Sequence, residues 1–150
     1  MAHRYIRVDG YGRWAIAFIK ALTALGVDVT PFLLEQLDMP GWMQRMAGLG
    51  ADRLTLQCMP AYMMKPMAGR VWGRTMTEDT SVPQSWVEKI NEVCERLIVP
   101  CEQNAAAFKD CGVYVPIHVV YGGTSPEEFP VLPEVRRERP YTFLSLGDRG

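Results

Sequence analysis

Residues 81–120 decide the fold, and they read SVPQSWVEKINEVCERLIVP (81–100) followed by CEQNAAAFKDCGVYVPIHVV (101–120). Ser81, Pro83 and Gln84 predict the start of a helix, with Ser81 as its N-cap, proline inside the first turn and glutamine at the capping-box position. Short apolar runs at 97–100 and 117–120 predict buried strands on either side of a second helix, 102–111, that Gly112 closes. Alternating strands and helices of this kind are typical of a parallel sheet.

The same alternation is predicted upstream. Residues 5–8 form a short apolar-rich run, and a helical stripe begins at Trp14 and ends at Gly26, which is suited to a left-handed C-terminal cap. The remaining predicted elements are a strand at 27–32, a helix at 42–49, a strand at 53–58, a loop with an apolar lining at 59–67 and a strand at 70–76. The fold class predicted is therefore α/β, with a Rossmann-like, mostly parallel sheet and helices on both of its faces.

The last 21 residues differ in character from the rest. Pro130, Pro133 and Pro140 bracket a charged run, which predicts a linker over 130–140. Residues 141–146 then read as one more strand, which by itself cannot bury both of its faces. We therefore predict a Rossmann-like domain at 1–129, a linker at 130–140, and the first strand of a truncated second domain at 141–150.

Composition excludes several classes of protein. Sixteen basic and seventeen acidic residues give a formal net charge of −1, which argues against a general electrostatic grip on nucleic acid or on an anionic membrane. No apolar run approaches the ~18 residues of a membrane span, and the start of the sequence does not resemble a signal peptide, so a cytoplasmic location is expected. The cysteines fit no zinc-binding spacing, and no metal site is predicted; they are Cys58, Cys94, Cys101 and Cys111.

A glycine-rich motif follows the first predicted strand. Gly10, Gly12 and Ala15 fit the pattern G-x-G-x-x-A, in which glycines let the backbone approach a phosphate and the helix N-terminus offers free N–H groups. Arg13 adds a cation for the same anion. A dinucleotide site would also need an acidic residue at the end of the second strand, and the nearest candidate, Glu35, lies beyond a proline. A phosphate or sugar contact, a dinucleotide site and a purely structural turn all remain open.

Two further segments follow predicted strands, where parallel sheets form their ligand crevice. Glu78 and Asp79 offer carboxylates for sugar hydroxyls, or else charge at a helix start. Gly122 and Gly123 offer a second close-approach turn, or else a simple chain reversal. His118, between apolar neighbours, is predicted to be a partly buried structural histidine. No nucleophilic constellation of serine or cysteine with histidine is arguable.

Five short blocks occur in a characteristic order. They are Gly10–Arg13 before a helix that ends at Leu25-Gly26, TMTEDTSVPQSW at 75–86, LIVPCEQN at 97–104, PIHVVYGGT at 116–124 and FLSLG at 143–147. Together they resemble the N-terminal half of a GT-B-fold glycosyltransferase of the family 4 type. The match departs from the family at Cys101, where serine or threonine usually caps the helix, so this helix start is expected to be less well satisfied.

The resemblance implies transfer of a sugar from a nucleotide-sugar donor to a glycosyl acceptor, with retention at the anomeric carbon and no obligatory metal or separate cofactor. It implies a donor phosphate or sugar contact at Gly10, Gly12 and Arg13. The acceptor or sugar crevice that it implies comprises Glu78, Asp79, Thr80, Gly122, Gly123 and Thr124. A C-terminal Rossmann-like domain would supply most of the nucleotide pocket, so we expect the 150 residues to be an inactive part of a transferase. The alternatives are a dinucleotide-binding Rossmann-type domain and a non-catalytic α/β binding module.

Overall fold

A computed structural model describes residues 10–30, 53–123 and 130 of the chain. These residues contain a sheet of four parallel strands in the order β1-β2-β3-β4, so that strands consecutive in sequence are neighbours in space. The elements are α1 (Gly10–Ala24), β1 (Leu54–Cys58), a 3₁₀ turn (Ala61–Met63), β2 (Arg70–Arg74), α2 (Gln84–Val93), β3 (Arg96–Val99), α3 (Glu102–Asp110) and β4 (Ile117–Val119). The strands predicted at 53–58, 70–76, 97–100 and 117–120 are thus confirmed, with small shifts at their ends.

One face of the sheet is apolar and carries the core. Val71, Leu97 and Val99 project from the strands into a buried cluster that also contains Ile90 of α2 and Phe108 of α3. Phe108 and Ile90 are fully buried, and each contributes roughly 2–3 kcal/mol through removal of its side chain from water. The loop 59–67 closes one end of this core with Ala61 and Met64, which confirms its predicted apolar lining.

Helix α1 packs against the opposite face, at the end of β2. Successive strand residues point to opposite faces, so Trp72 and Arg74 lie on the side away from the core that Val71 joins. Arg74 contacts the rings of Trp14 and Phe18 of α1. Helices therefore lie on both faces of an all-parallel sheet, and the predicted α/β, Rossmann-like fold class is correct.

Helix α1 differs from its prediction at its N-terminal end, and the chain that follows it differs as well. It begins at Gly10, so the residues predicted as a turn before Trp14 form the first turn of the helix itself. Gly26 has φ +76°, which confirms the predicted left-handed cap. The N–H of Val27 donates to the carbonyl of Leu22 and closes the helix, and Val27 is 47% exposed. The strand predicted at 27–32 is therefore wrong over residues 27–30, and residues 31–32 lie outside the described part.

The two crossover helices begin without side-chain caps. Helix α2 begins at Gln84 with Pro83 before it, so the prediction that Ser81 is the N-cap is wrong. The N–H of Ser81 instead donates to the Asp79 carboxylate, which turns the chain before the helix starts. Helix α3 begins after Cys101, which makes no capping hydrogen bond, as expected from the departure at that position. Gly112, with φ +101°, ends α3 as predicted.

Several predictions lie outside the described residues. They are the strand at 5–8, the helix at 42–49, the linker beyond Pro130 and the strand at 141–146, and with them the division into domains. Among the residues that are described, no helix is long and apolar enough to cross a membrane.

Replacement of Gly73 by alanine tests how tightly β2 packs on the core. A Cβ at Gly73 would lie 2.8 Å from Sγ of Cys94 and 2.9 Å from Cε of Met64, both of which are buried. We expect Gly73→Ala to lower the free energy of unfolding by about 1–2 kcal/mol, because the core must shift to admit the methyl group. Urea denaturation measures the change. Gly123→Ala, whose Cβ meets no atom within 4 Å, is the control, and equal stabilities for the two variants would contradict this packing.

Candidate functional site

A crevice of about 340 Å³ opens at the carboxyl end of the sheet, where β1 and β2 finish. Seven residues line it: Tyr11, Pro60, Tyr62, Met76, Thr77, Glu78 and Trp86. They come from four segments, namely the first turn of α1, the loop after β1, the loop after β2 and the first turn of α2. The crevice lies where an open α/β sheet usually binds its ligand.

Tyr11 anchors the start of α1 at this edge. Its Oη lies 3.1 Å from Oγ1 of Thr75, the fully buried residue that follows β2. Because Gly10 and Gly12 flank Tyr11, this contact places the glycine-rich first turn of the helix beside the crevice. Arg13 follows in the same turn of α1.

The loop after β2 is held from α3. Asn104 accepts the N–H of Thr77 at 3.0 Å and donates to the carbonyl of Thr77 at 2.8 Å. This pair of hydrogen bonds fixes the backbone just before Glu78, whose exposed side chain lines the crevice. Asn104 is 7% exposed and was not predicted as a site residue, because a single asparagine inside a helix has no distinctive sequence signal.

Asp79 and Thr80 lie beside Glu78, but they make the turn that leads into α2. The Asp79 carboxylate accepts the N–H of Thr80 at 2.6 Å and the N–H of Ser81 at 3.3 Å. The Thr80 hydroxyl also points to that carboxylate, at 3.4 Å. Of the three acceptor residues predicted here, only Glu78 lines the crevice.

Aromatic rings form the outer wall of the crevice. The rings of Tyr62 and Trp86 lie 5.9 Å apart between centroids, and Tyr62 is 60% exposed. With Pro60 and Met76 they make the lining mostly apolar, and Glu78 is its one charged group among the described residues. Such a lining favours a ligand with apolar faces and hydroxyl or cationic groups over a phosphate.

The glycines after β4 approach α1 rather than the crevice. A Cβ on Gly122 would lie 3.9 Å from Nε1 of Trp14, and Gly123 has no atom near its Cβ position. Both glycines are exposed, and Thr124 lies outside the described residues. The structure thus places Gly122 beside the second turn of α1, and Tyr11 and Glu78 in the crevice.

Arg74, at the end of β2, is a buried cation that sequence analysis missed. It is 1% exposed, and its Cζ lies 4.4 Å from the ring centre of Trp14 and 4.2 Å from that of Phe18. Within the described residues, its Nε and Nη1 have no hydrogen-bond partner. Burial lowers the pKa of Arg74, and the neighbouring Cys58 opposes that shift. The sequence gives only a weak signal for the burial of Arg74, because the strand pattern rests on the apolar residues around it.

The four cysteines are free thiols, and no cluster of metal-ligating side chains occurs in the described residues. Burial raises the pKa of Cys58 from 9.0 to about 11, although Arg74 acts to lower it. Burial likewise raises the pKa of Cys94 to about 11. Both thiols are therefore protonated at neutral pH and serve as packing groups.

The prediction that His118 is partly buried is wrong. The residue is exposed, and its ring stacks on Trp72 with a centroid separation of 6.4 Å. Nη1 of Arg96 lies 2.9 Å from Nε2 of His118. Since arginine only donates, Nε2 accepts in this contact. The apolar neighbours Ile117 and Val119 point to the core, and strand alternation turns His118 to the other face.

No protein-family profile, curated protein or solved structure matches this chain. The described residues have a Rossmann-like α/β fold with a crevice at the carboxyl edge of the sheet.

Replacement of Asn104 by alanine should loosen the loop that carries Glu78. It removes the side-chain partner of the half-buried N–H and carbonyl of Thr77, so we expect the free energy of unfolding to fall by roughly 1–3 kcal/mol. Chemical denaturation measures this. Gln103→Ala, an exposed position on the same helix, is the control, and the role of Asn104 is refuted if both variants are equally stable.

Cys58 should react slowly with iodoacetamide at pH 8. The thiolate is the reactive species, and a pKa raised from 9.0 to about 11 makes it scarce in the folded chain. We expect alkylation to be at least about 10-fold slower than for the same cysteine in the urea-unfolded chain. Mass spectrometry of peptides from a time course gives both rates. Equal rates would mean that the Cys58 thiol is not desolvated.

Proposed function

We propose that this chain is the acceptor-binding half of a nucleotide-sugar-dependent glycosyltransferase, with the donor phosphate at the first turn of α1. The observation that carries the proposal is the position of Tyr11. This residue lies between Gly10 and Gly12 and lines the same crevice as Glu78. The glycine-rich helix start and the acidic loop, separate in sequence, are thereby neighbours at one edge of the sheet.

The start of α1 suits a diphosphate leaving group. The first N–H groups of a helix lack intrahelical partners and carry partial positive charge, so they attract anions. Gly10 and Gly12 have no side chain to keep a phosphate away from those groups. As the sugar–phosphate bond breaks, negative charge grows on the leaving diphosphate. Fixed N–H dipoles at this position, with Arg13 in the same turn, would stabilise that charge.

The crevice suits the sugar acceptor. Tyr62 and Trp86 offer ring faces that can stack on the C–H face of a pyranose, and Glu78 can accept a hydrogen bond from a hydroxyl. A carboxylate beside the nucleophilic hydroxyl would also draw off its proton as the new bond forms. Under this proposal transfer retains the anomeric configuration and uses no metal ion.

A dinucleotide site is the less favoured candidate. It requires a carboxylate at the end of the strand that follows the first helix, to bind a ribose hydroxyl. Residues 27–30 follow α1 without joining the sheet, so the described part of the chain provides no such strand end.

Gly12→Trp tests the donor contact. An indole at the first turn of α1 would occupy the space in front of the helix N-terminus, so we expect nucleotide-sugar binding to weaken at least about 10-fold while helical content is unchanged. Binding is followed by chemical-shift changes in ¹⁵N spectra during titration with UDP- and GDP-sugars, since affinity for half of a divided site is expected to be low. Nicotinamide dinucleotides are titrated in parallel to test the alternative.

Thr23→Trp is the matched control. It places the same indole on an exposed position about 16 Å further along the same helix. If Gly12→Trp and Thr23→Trp bind nucleotide sugars alike, α1 does not contact the donor. If the unmodified chain prefers nicotinamide dinucleotides, the dinucleotide interpretation replaces the transferase proposal.

A further inference from the structure

Strand β2 buries three side-chain nitrogens that have no acceptor among the described residues. They are Nε and Nη1 of Arg74 and Nε1 of Trp72, and none has a hydrogen-bond partner within the described residues. Trp72 and Arg74 are two positions apart in the strand, so both point to the face against which α1 packs. All three nitrogens are unsatisfied hydrogen-bond donors, because guanidinium and indole nitrogens only donate.

This arrangement is costly in the ligand-free chain. Arginine keeps its proton at any physiological pH, so Arg74 cannot relieve its burial by becoming neutral. A buried charge that has no partner among the described residues costs several kcal/mol, whereas contact with the rings of Trp14 and Phe18 returns only about 1–2 kcal/mol. A bound anion would remove most of this cost.

The charges of the neighbouring strand residues also favour a bound anion at Arg74. The strands place only cationic or neutral ionisable side chains on this face, namely Arg70, Arg74, Arg96, His118 and the thiol Cys58. Arg70 faces Glu95 at 3.7 Å, and Arg96 contacts His118. None of the described strand residues on this face is a carboxylate, so Arg74 has no internal counter-ion there.

The Gly122–Gly123 segment lies beside the part of α1 that packs on Arg74. Gly122 passes Nε1 of Trp14, the ring on which Arg74 packs, and Gly123 has open space at its Cβ position. Neither glycine has a side chain, and both are exposed. The glycine start of α1 lies one turn before Trp14, so the same anion can also reach the N–H groups of the helix end.

We propose that Arg74 anchors a phosphoryl group in an anion site between the first two turns of α1 and the Gly122–Gly123 segment. Arg74 supplies its Nε–H as a charge-assisted donor, and Trp72 Nε1–H is a second unpartnered donor on the same strand face. This inference rests on the proposed function only where it equates the phosphoryl group with the diphosphate of a nucleotide sugar. The anion site itself requires no transferase.

Inorganic pyrophosphate is the probe. At matched ionic strength, saturating pyrophosphate should raise the Tm of the unmodified chain by about 5 °C relative to chloride. Arg74→Met should abolish this rise. Without pyrophosphate, its Tm should equal or exceed that of the unmodified chain, because methionine fills the space and no charge is buried. Arg96→Met, on the same face but half-exposed, is the control and should keep the response.

Two results would overturn the site. One is an equal pyrophosphate response in Arg74→Met and the unmodified chain. The other is no response in the unmodified chain; if Arg74→Met also collapses, an internal carboxylate already pairs with Arg74. If Arg74→Met fails to fold although the unmodified chain responds to pyrophosphate, the Nε–H resonance of Arg74 in the unmodified chain tests whether pyrophosphate binds there. The resonance must shift during the titration, and a resonance that stays fixed rejects the site.

The same titrations separate this inference from the transferase proposal. If pyrophosphate acts through Arg74 but nucleotide sugars bind no more tightly than pyrophosphate, the anion site stands and the transferase proposal fails. If nucleotide sugars bind the unmodified chain and Arg74→Met equally, the transferase proposal stands and Arg74 is not their anchor.

Discussion

The two-sided burial of β2 is the constraint on which the rest of this structure depends. Gly73 and Arg74 are adjacent and both buried, yet they face opposite surroundings. Gly73 permits Met64 and Cys94 to close against the strand on the core side. Arg74 meets Trp14 and Phe18 on the other side and thereby joins α1 to the sheet. A shift of the strand by one residue would place the guanidinium in the apolar core.

The position of β2 also assembles the crevice. Thr75 follows the strand directly and contacts Tyr11, so the start of α1 is fixed at the carboxyl edge. Two residues later, Thr77 is held by Asn104 of α3, which sets the direction of Glu78. The aromatic wall is then completed from α2 and the loop after β1. The crevice is therefore a consequence of strand register and of two polar contacts.

Two chemical environments lie close together at this end of the molecule. The crevice has aromatic walls and a single described charge, the carboxylate of Glu78. The face of the sheet on which α1 packs has buried N–H donors and cationic side chains. A nucleotide sugar and its acceptor present these two chemistries, an anionic diphosphate and a neutral polyhydroxyl ring, at the two ends of the reacting bond. This pairing gives the proposed transferase its physical basis.

Local sequence pattern predicted much of the fold. It failed where contacts between residues distant in sequence determine the structure. Gly26 and Gly112 were predicted as helix ends because a left-handed residue favours glycine wherever it occurs. Ser81 failed as an N-cap because the helix begins three residues later, at Gln84, and the N–H of Ser81 is bound by the Asp79 carboxylate in the turn before it. His118 was assigned by its apolar neighbours, although strand alternation sends it to the opposite face from them. The grouping of Tyr11 with Glu78 required the sheet, since the two residues lie 67 positions apart.

By itself, the sequence determined the α/β class and a mostly parallel sheet with helices on both faces, because these follow from hydrophobic periodicity and from glycine at chain reversals. It also placed the glycine-rich segment and Glu78 next to predicted strand ends. Only the tertiary structure decided that Asn104 holds the Glu78 loop, that Arg74 is buried against α1, and that Asp79 is used in a turn. These depend on hydrogen bonds and burial between residues distant in sequence, for which a local pattern has no signal.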